Sequence, residues 1–119
     1  MSNEKAHLAK AEKNEQFFED VLELHSDWAV VGLFYSAVHY VEAYLSKRLN
    51  VHSDNHEDRK SHINSIPDLK GIYKIYSELQ NISYGIRYTS FNPNRDKALE
   101  YKRELYDPIK DHMEKLLKK

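Results

Sequence analysis

The chain contains no cysteine. Disulfide staples, thiolate nucleophiles and zinc sites with sulfur ligands are therefore excluded. Glycine and proline are scarce, with three of each in 119 residues. Sheets and long loops need more of this punctuation, whereas helices need little. Ser36, Ser61 and Ser83 lack the glycine-flanked turn of a nucleophile elbow, and no glycine-rich phosphate loop occurs. Long apolar runs are missing too. The most apolar stretch, Trp28 to Leu45, is broken by Ser36, His39 and Glu42, which suits a buried helix better than a membrane span. The first fifteen residues are polar, without the apolar centre of a signal peptide. The expectation is a cytoplasmic protein with no membrane contact.

Neither sign of charge dominates. There are 18 basic and 19 acidic residues, for a formal net charge of −1. From Ile66 onward 11 basic residues face 8 acidic ones. That is a mild dipole, unlike the basic patch of a dedicated DNA binder. It leaves room for RNA or a nucleotide at one confined spot.

What is present points to helices. The composition, 40% hydrophobic and 31% charged, is that of a folded domain, and the length suits a single one over residues 1–119. A first helix is expected from about Asn3 to Leu24. Its polar start should be exposed, and its apolar side comprises Phe17, Phe18, Val21, Leu22 and Leu24. A second helix should begin at Ser26 or Asp27, either a good N-cap, and run to about Leu49. Val30, Val31, Leu33, Phe34, Val38, Val41 and Leu45 give it a wide apolar arc, which makes it the central helix. Trp28 is expected in the core, and Tyr40 and Tyr44 as packing residues. Small residues at helical spacing, Ala29, Gly32, Ser36 and Ala43, would allow another helix to approach closely and could serve a dimer contact.

Asn50 to Asn55 is a polar loop, and a short helix from His56 to Ser65 must stop near Pro67. A third long helix, capped by Asp68, carries Leu69, Ile72, Tyr73, Tyr76, Leu79, Ser83 and Ile86 on one stripe and ends around Tyr88 to Ser90. Asn92-Pro93 is a restart signal, and the last helix continues through Leu99, Leu105, Ile109, Met113 and Leu116. Pro108 should kink or divide it. The sum is an all-α fold: an up-down bundle of four long helices plus one short helix.

Two groups of residues could carry chemistry. Tyr35, His39 and Glu42 stand at i, i+4 and i+7, on one face of an otherwise apolar helix. A buried carboxylate needs a partner. Ser83 and Arg87 continue the Tyr76 stripe, so Glu42 or His39 is expected to meet Arg87. This would be either a polar network that fixes register or a pocket in which Arg87 binds a phosphate and His39 acts as acid or base. The second group is His52, His56 and His62, with Glu57, Asp58 and Arg59 interspersed. His52 and His56 are four apart, a spacing for metal ligation if both are helical. His52 falls in the loop, which weakens that reading. Arg59 and Lys60 could contact phosphate. No cofactor is expected.

The second helix resembles the signature helix of HEPN domains over Phe34-Tyr35-Ser36-Ala37-Val38-His39-Tyr40-Val41-Glu42-Ala43-Tyr44-Leu45. The His52-Ser53-Asp54-Asn55-His56 loop follows it as a His-bearing loop does in that family. Leu79 to Tyr88, closing with Arg87-Tyr88, is similar to a later family helix. The likeness covers about Ser26 to Tyr88. It implies a four- or five-helix bundle, often a homodimer, that binds RNA, a nucleotide or a nucleotidyltransferase-like protein partner, as in toxin–antitoxin pairs and defence systems. Family ribonucleases carry an Arg, four to six residues, then a His. Here Arg48 precedes His52 with three residues between, Arg59 precedes His62 with two, and Arg103 precedes His112 with eight. No residue inherits that role, and the resemblance implies a non-catalytic module. A ribonuclease with an atypical pair, Arg59 with His62 or Arg87 with His39, and a metal-dependent enzyme using His52 and His56 are the alternatives.

Overall fold

A computed structural model describes residues 3–118, and among them every regular element is helical. The elements are α1 (Glu4–Val21), α2 (Ser26–Tyr44), α3 (His56–Ser65), α4 (Pro67–Lys70), α5 (Tyr73–Tyr88), α6 (Arg95–Tyr101) and α7 (Asp107–Leu117). π-helical turns follow α2 at Leu45–Leu49 and join α6 to α7 at Lys102–Tyr106. No helix among the described residues is long and apolar enough to cross a membrane.

α2 is the centre. Val30, Leu33, Phe34, Ala37, Val41 and Leu45 are fully buried on it. Phe18 from α1, Ile63 from α3, Tyr76 and Leu79 from α5, and Tyr106, Ile109 and Met113 near the C-terminus complete the core. Each large apolar side chain buried this way contributes about 1.5–3 kcal/mol.

Contacts fix the directions of the neighbours. On α1, Ala11 accepts a hydrogen bond from Ser36, and the Asn3 N–H donates to Ser46 Oγ, so α1 runs antiparallel to α2. Tyr44 donates to Asp68 while Tyr35 receives Arg87, so α5 is antiparallel too. Ser26 bonds Pro93, Ser36 bonds Tyr106 and Lys47 bonds Leu117, so the α6–α7 arm runs parallel to α2.

The small residues of α2 do allow a close approach, but by α1 of the same chain. Ala29, Gly32, Ser36 and Ala43 are all buried. A Cβ on Gly32 would stand 2.8 Å from Phe17 Cδ2 and 3.1 Å from the Asn14 carbonyl. This face is occupied within the chain and offers nothing to a second copy.

Several local expectations need correction. The polar start of α1 is exposed at Lys5, Ala6, Ala9 and Lys10 as expected, but His7 and Leu8 on its inner side are partly covered and Ala11 is fully buried. Trp28 is 47% exposed, because it sits in the first turn of α2, beyond the reach of the core. Ser26 spends its hydroxyl on Pro93 and Asp27 bonds the next N–H, so neither caps the N-terminus of α2 as expected. Asp68 is not a cap, since its carboxylate accepts from Tyr44 inside the short α4. The chain breaks at Gly71-Ile72, where buried Ile72 leaves helical geometry before α5 begins. The restart cap is Asn94, which accepts from the Lys97 N–H, while Pro93 is buried ahead of it. Pro108 acts one turn earlier than a simple kink. Without an N–H it cannot bond the Glu104 carbonyl, and the preceding turn widens so that the Asp107 N–H reaches Lys102.

Candidate functional site

The polar residues of α2 diverge to three different neighbours. Glu42 is 2% exposed. Its Oε2 accepts from Arg59 Nε of α3 at 2.7 Å, and its Oε1 from the Ser53 N–H at 3.2 Å. Asn50, in the left-handed region with φ 52°, turns the chain after the π-helical turn and brings residues 52 and 53 back onto α2. Asn tolerates that conformation better than most residues. Asn55 then caps α3 by accepting from the Asp58 N–H, which aims Arg59 inward.

His39 faces α1 instead. Its Nδ1 lies 2.9 Å from Nδ1 of His7, so one ring donates and the other accepts. The two rings stack at 5.2 Å, and His52 also stacks with His7 at 6.0 Å. Burial, then the neighbouring His7, Lys10 and Arg59, pushes the His39 imidazole down to about 4. Burial likewise lowers His7. For Glu42, burial alone would raise the carboxyl, but Ser53 and Arg59 together hold it below the usual carboxylate range. The group is thus a carboxylate on a buried cation, flanked by imidazoles.

Tyr35 faces α5. Its hydroxyl accepts from Arg87 Nη1 at 2.7 Å, and the guanidinium lies over the Tyr35 and Tyr88 rings at 5.5 and 5.1 Å. Arg87 also reaches the Ser83 carbonyl at 3.4 Å. The Ser83 hydroxyl is buried and has no hydrogen-bond partner among the described residues. No carboxylate lies within salt-bridge distance of Arg87 among the described residues. His56 sits between the two arginines. It contacts Arg59 Nη1 at 2.9 Å and packs on Phe34 and Tyr35, and burial followed by the charges of Arg59 and Arg87 lowers it.

The expected meeting of Glu42 or His39 with Arg87 therefore does not occur. Glu42 takes Arg59, His39 takes His7, and Arg87 takes Tyr35. His52 and His56 do not act as a pair: His52 Nδ1 points to Glu42 at 3.6 Å, and His56 turns to Arg59. His62 pairs with Asp58 rather than Arg59. Sequence reasoning missed His7. The signal was there, because His7, Ala11, Asn14 and Phe18 share one stripe of α1.

Two surface grooves lie elsewhere. One of about 410 Å³ is lined by residues including Leu8, Tyr40, Lys110 and Leu117, and one of about 510 Å³ by Phe17, Val21, His25 and Trp28. Neither includes the residues above. Comparison of the chain with family models, with curated proteins and with solved structures finds no match.

Proposed function

We propose that the chain is a HEPN-like, non-catalytic module that binds RNA or a nucleotide on the face of α5. The observation that carries this reading is Arg87. Its charge is held in place by a hydroxyl and two aromatic rings, and among the described residues no carboxylate lies within salt-bridge distance of it. Tyr84 and Tyr88 stand beside it, 57% and 65% exposed, with ring centroids 4.9 Å apart. A cation next to exposed aromatic rings suits a phosphate and a stacked base, each such stack being worth about 1–3 kcal/mol. The directions of α1, α5 and the α6–α7 arm about α2 support the up-down bundle that the resemblance implies. Fluorescence anisotropy with a labelled single-stranded RNA tests the reading. The wild type should bind with a salt-dependent affinity, and Arg87→Met and Tyr84→Ala/Tyr88→Ala should each weaken it about tenfold. Absence of binding, or equal binding by the variants, overturns it.

A homodimer belongs to this reading, and its surface would have to lie away from the small residues of α2. The exposed Phe17 and Trp28 offer one apolar patch. Mass in solution, measured for the wild type and Trp28→Ser, decides whether the chain pairs there.

A further inference from the structure

We propose that His7, His52 and Glu42 form a binding site for a divalent transition-metal ion of the Zn²⁺ type. One ligand atom from each of the three residues lies within 4.8 Å of the others. They come from three separate elements: the first turn of α1, the last turn of α2 and the loop that Asn50 turns back. This site stands apart from the Arg87 face and does not depend on it.

The chemistry of the donors fits such an ion. Two imidazoles and one carboxylate, with no thiolate, suit Zn²⁺ and its neighbours, whereas Mg²⁺ and Ca²⁺ take all-oxygen sets. Metal ligands must be deprotonated. Glu42 is ionised, because Arg59 occupies Oε2, and Oε1 is the oxygen turned toward His52. His39 braces the His7 ring through the 2.9 Å nitrogen contact, the service an outer partner gives a metal-bound imidazole.

The geometry is close to closure. Zinc sits about 2.0–2.2 Å from nitrogen and oxygen ligands, so tetrahedral partners stand about 3.4 Å from one another. His52 is 69% exposed on a loop and can swing the remaining distance without disturbing the core. Its exposure also gives the ion a path from solvent. Three protein ligands leave a fourth position for water, the pattern of an open site. The Arg59 charge works against the ion, so the site should bind reversibly and should not be required for folding.

Isothermal titration calorimetry of chelator-treated, full-length protein with ZnCl₂ at pH 7.5 tests the proposal. One Zn²⁺ per chain is expected, with no response to MgCl₂. His52→Ala, which removes an exposed side chain, should weaken binding more than the roughly tenfold that loss of an outer partner costs, while its circular dichroism stays that of the wild type. Nitrogen-15 imidazole spectra should show His7 and His52 shifting with Zn²⁺, and His25 and His112 unmoved. No heat with the wild type overturns the site. So does Zn²⁺ binding that His52→Ala leaves unchanged, which would place the ion on other surface histidines.

Discussion

Arg59 and Arg87 are the same residue type, on helices that both lean against α2. Arg59 is 8% exposed and clasped by the Glu42 carboxylate at 2.7 Å. Arg87 is only partly covered and clasped by a neutral hydroxyl at the same distance. The first cation is cancelled inside the chain and holds the loop and α3 to the central helix. The second keeps its charge, with rings to orient it, and so has something left to offer an external anion. The identity of the partner, more than depth alone, separates a structural arginine from a recognition arginine.

The comparison breaks first at the buried pair. Arg59→Met leaves Glu42 buried without its counter-charge and should cost about 3–5 kcal/mol, read as a lowered urea midpoint. Adding Glu42→Leu should recover most of that loss, since an apolar pair replaces an ionic one at little cost. A single variant that unfolds at the wild-type midpoint would show that the ion pair does not hold α3 in place.

Acidity sharpens the contrast next. The folded His39 imidazole lies near 4 against an ordinary 6.5, so the unfolded chain binds the extra proton between those values. Stability should therefore be full above about pH 6.5 and fall as pH drops toward 4. Glu42, held below its ordinary 4.5, adds a further loss only as pH falls under that value. His39→Phe should make the upper part of a pH-dependent melting curve shallower, with His7 and His56 keeping some slope there, and leave the lower part. Near the Arg87 face the corresponding group is His56, which contacts Arg59 and is lowered by burial and by the charges of both arginines.

Smaller effects belong to the open cluster. Tyr35→Phe removes the hydroxyl that Arg87 donates to and should cost about 0.5–1.5 kcal/mol in a denaturant titration. Tyr88→Ala, at an exposed position, should change stability by less than about 0.5 kcal/mol while still lowering RNA affinity. A large loss of stability in Tyr88→Ala would mean that the α5 face is packing surface.

Much of the architecture was legible in the residues. The scarcity of glycine and proline, the wide apolar arc of α2 and the Tyr76–Leu79–Ser83–Ile86 stripe follow from helical periodicity alone. The start of α3 at His56 and its end at Ser65 match the expected bounds. The pairings within the site were not legible. Tyr35, His39 and Glu42 do share an arc of α2, but three neighbours meet that arc side by side, at sequence separations of 52, 32 and 17. Periodicity names a face and not what lies across from it. The left-handed Asn50 decides where His52 goes, and nothing in the loop's composition announced that turn. Trp28 shows the opposite error: an aromatic side chain says little about burial when it stands at the end of a helix.

The far end of α2 carries a practical consequence. Lys47 and Arg48 donate to the carbonyls of Leu117 and Leu116, where the dipole of α7 is negative. The two stretches of chain lie about seventy positions apart, yet they are clipped together at one pole of the molecule. A reporter dye placed on α7 would accordingly sense the middle of the sequence. Paired with a second dye near Asn3, which touches Ser46 at the same pole, it would signal the first separation of the bundle as the chain comes apart.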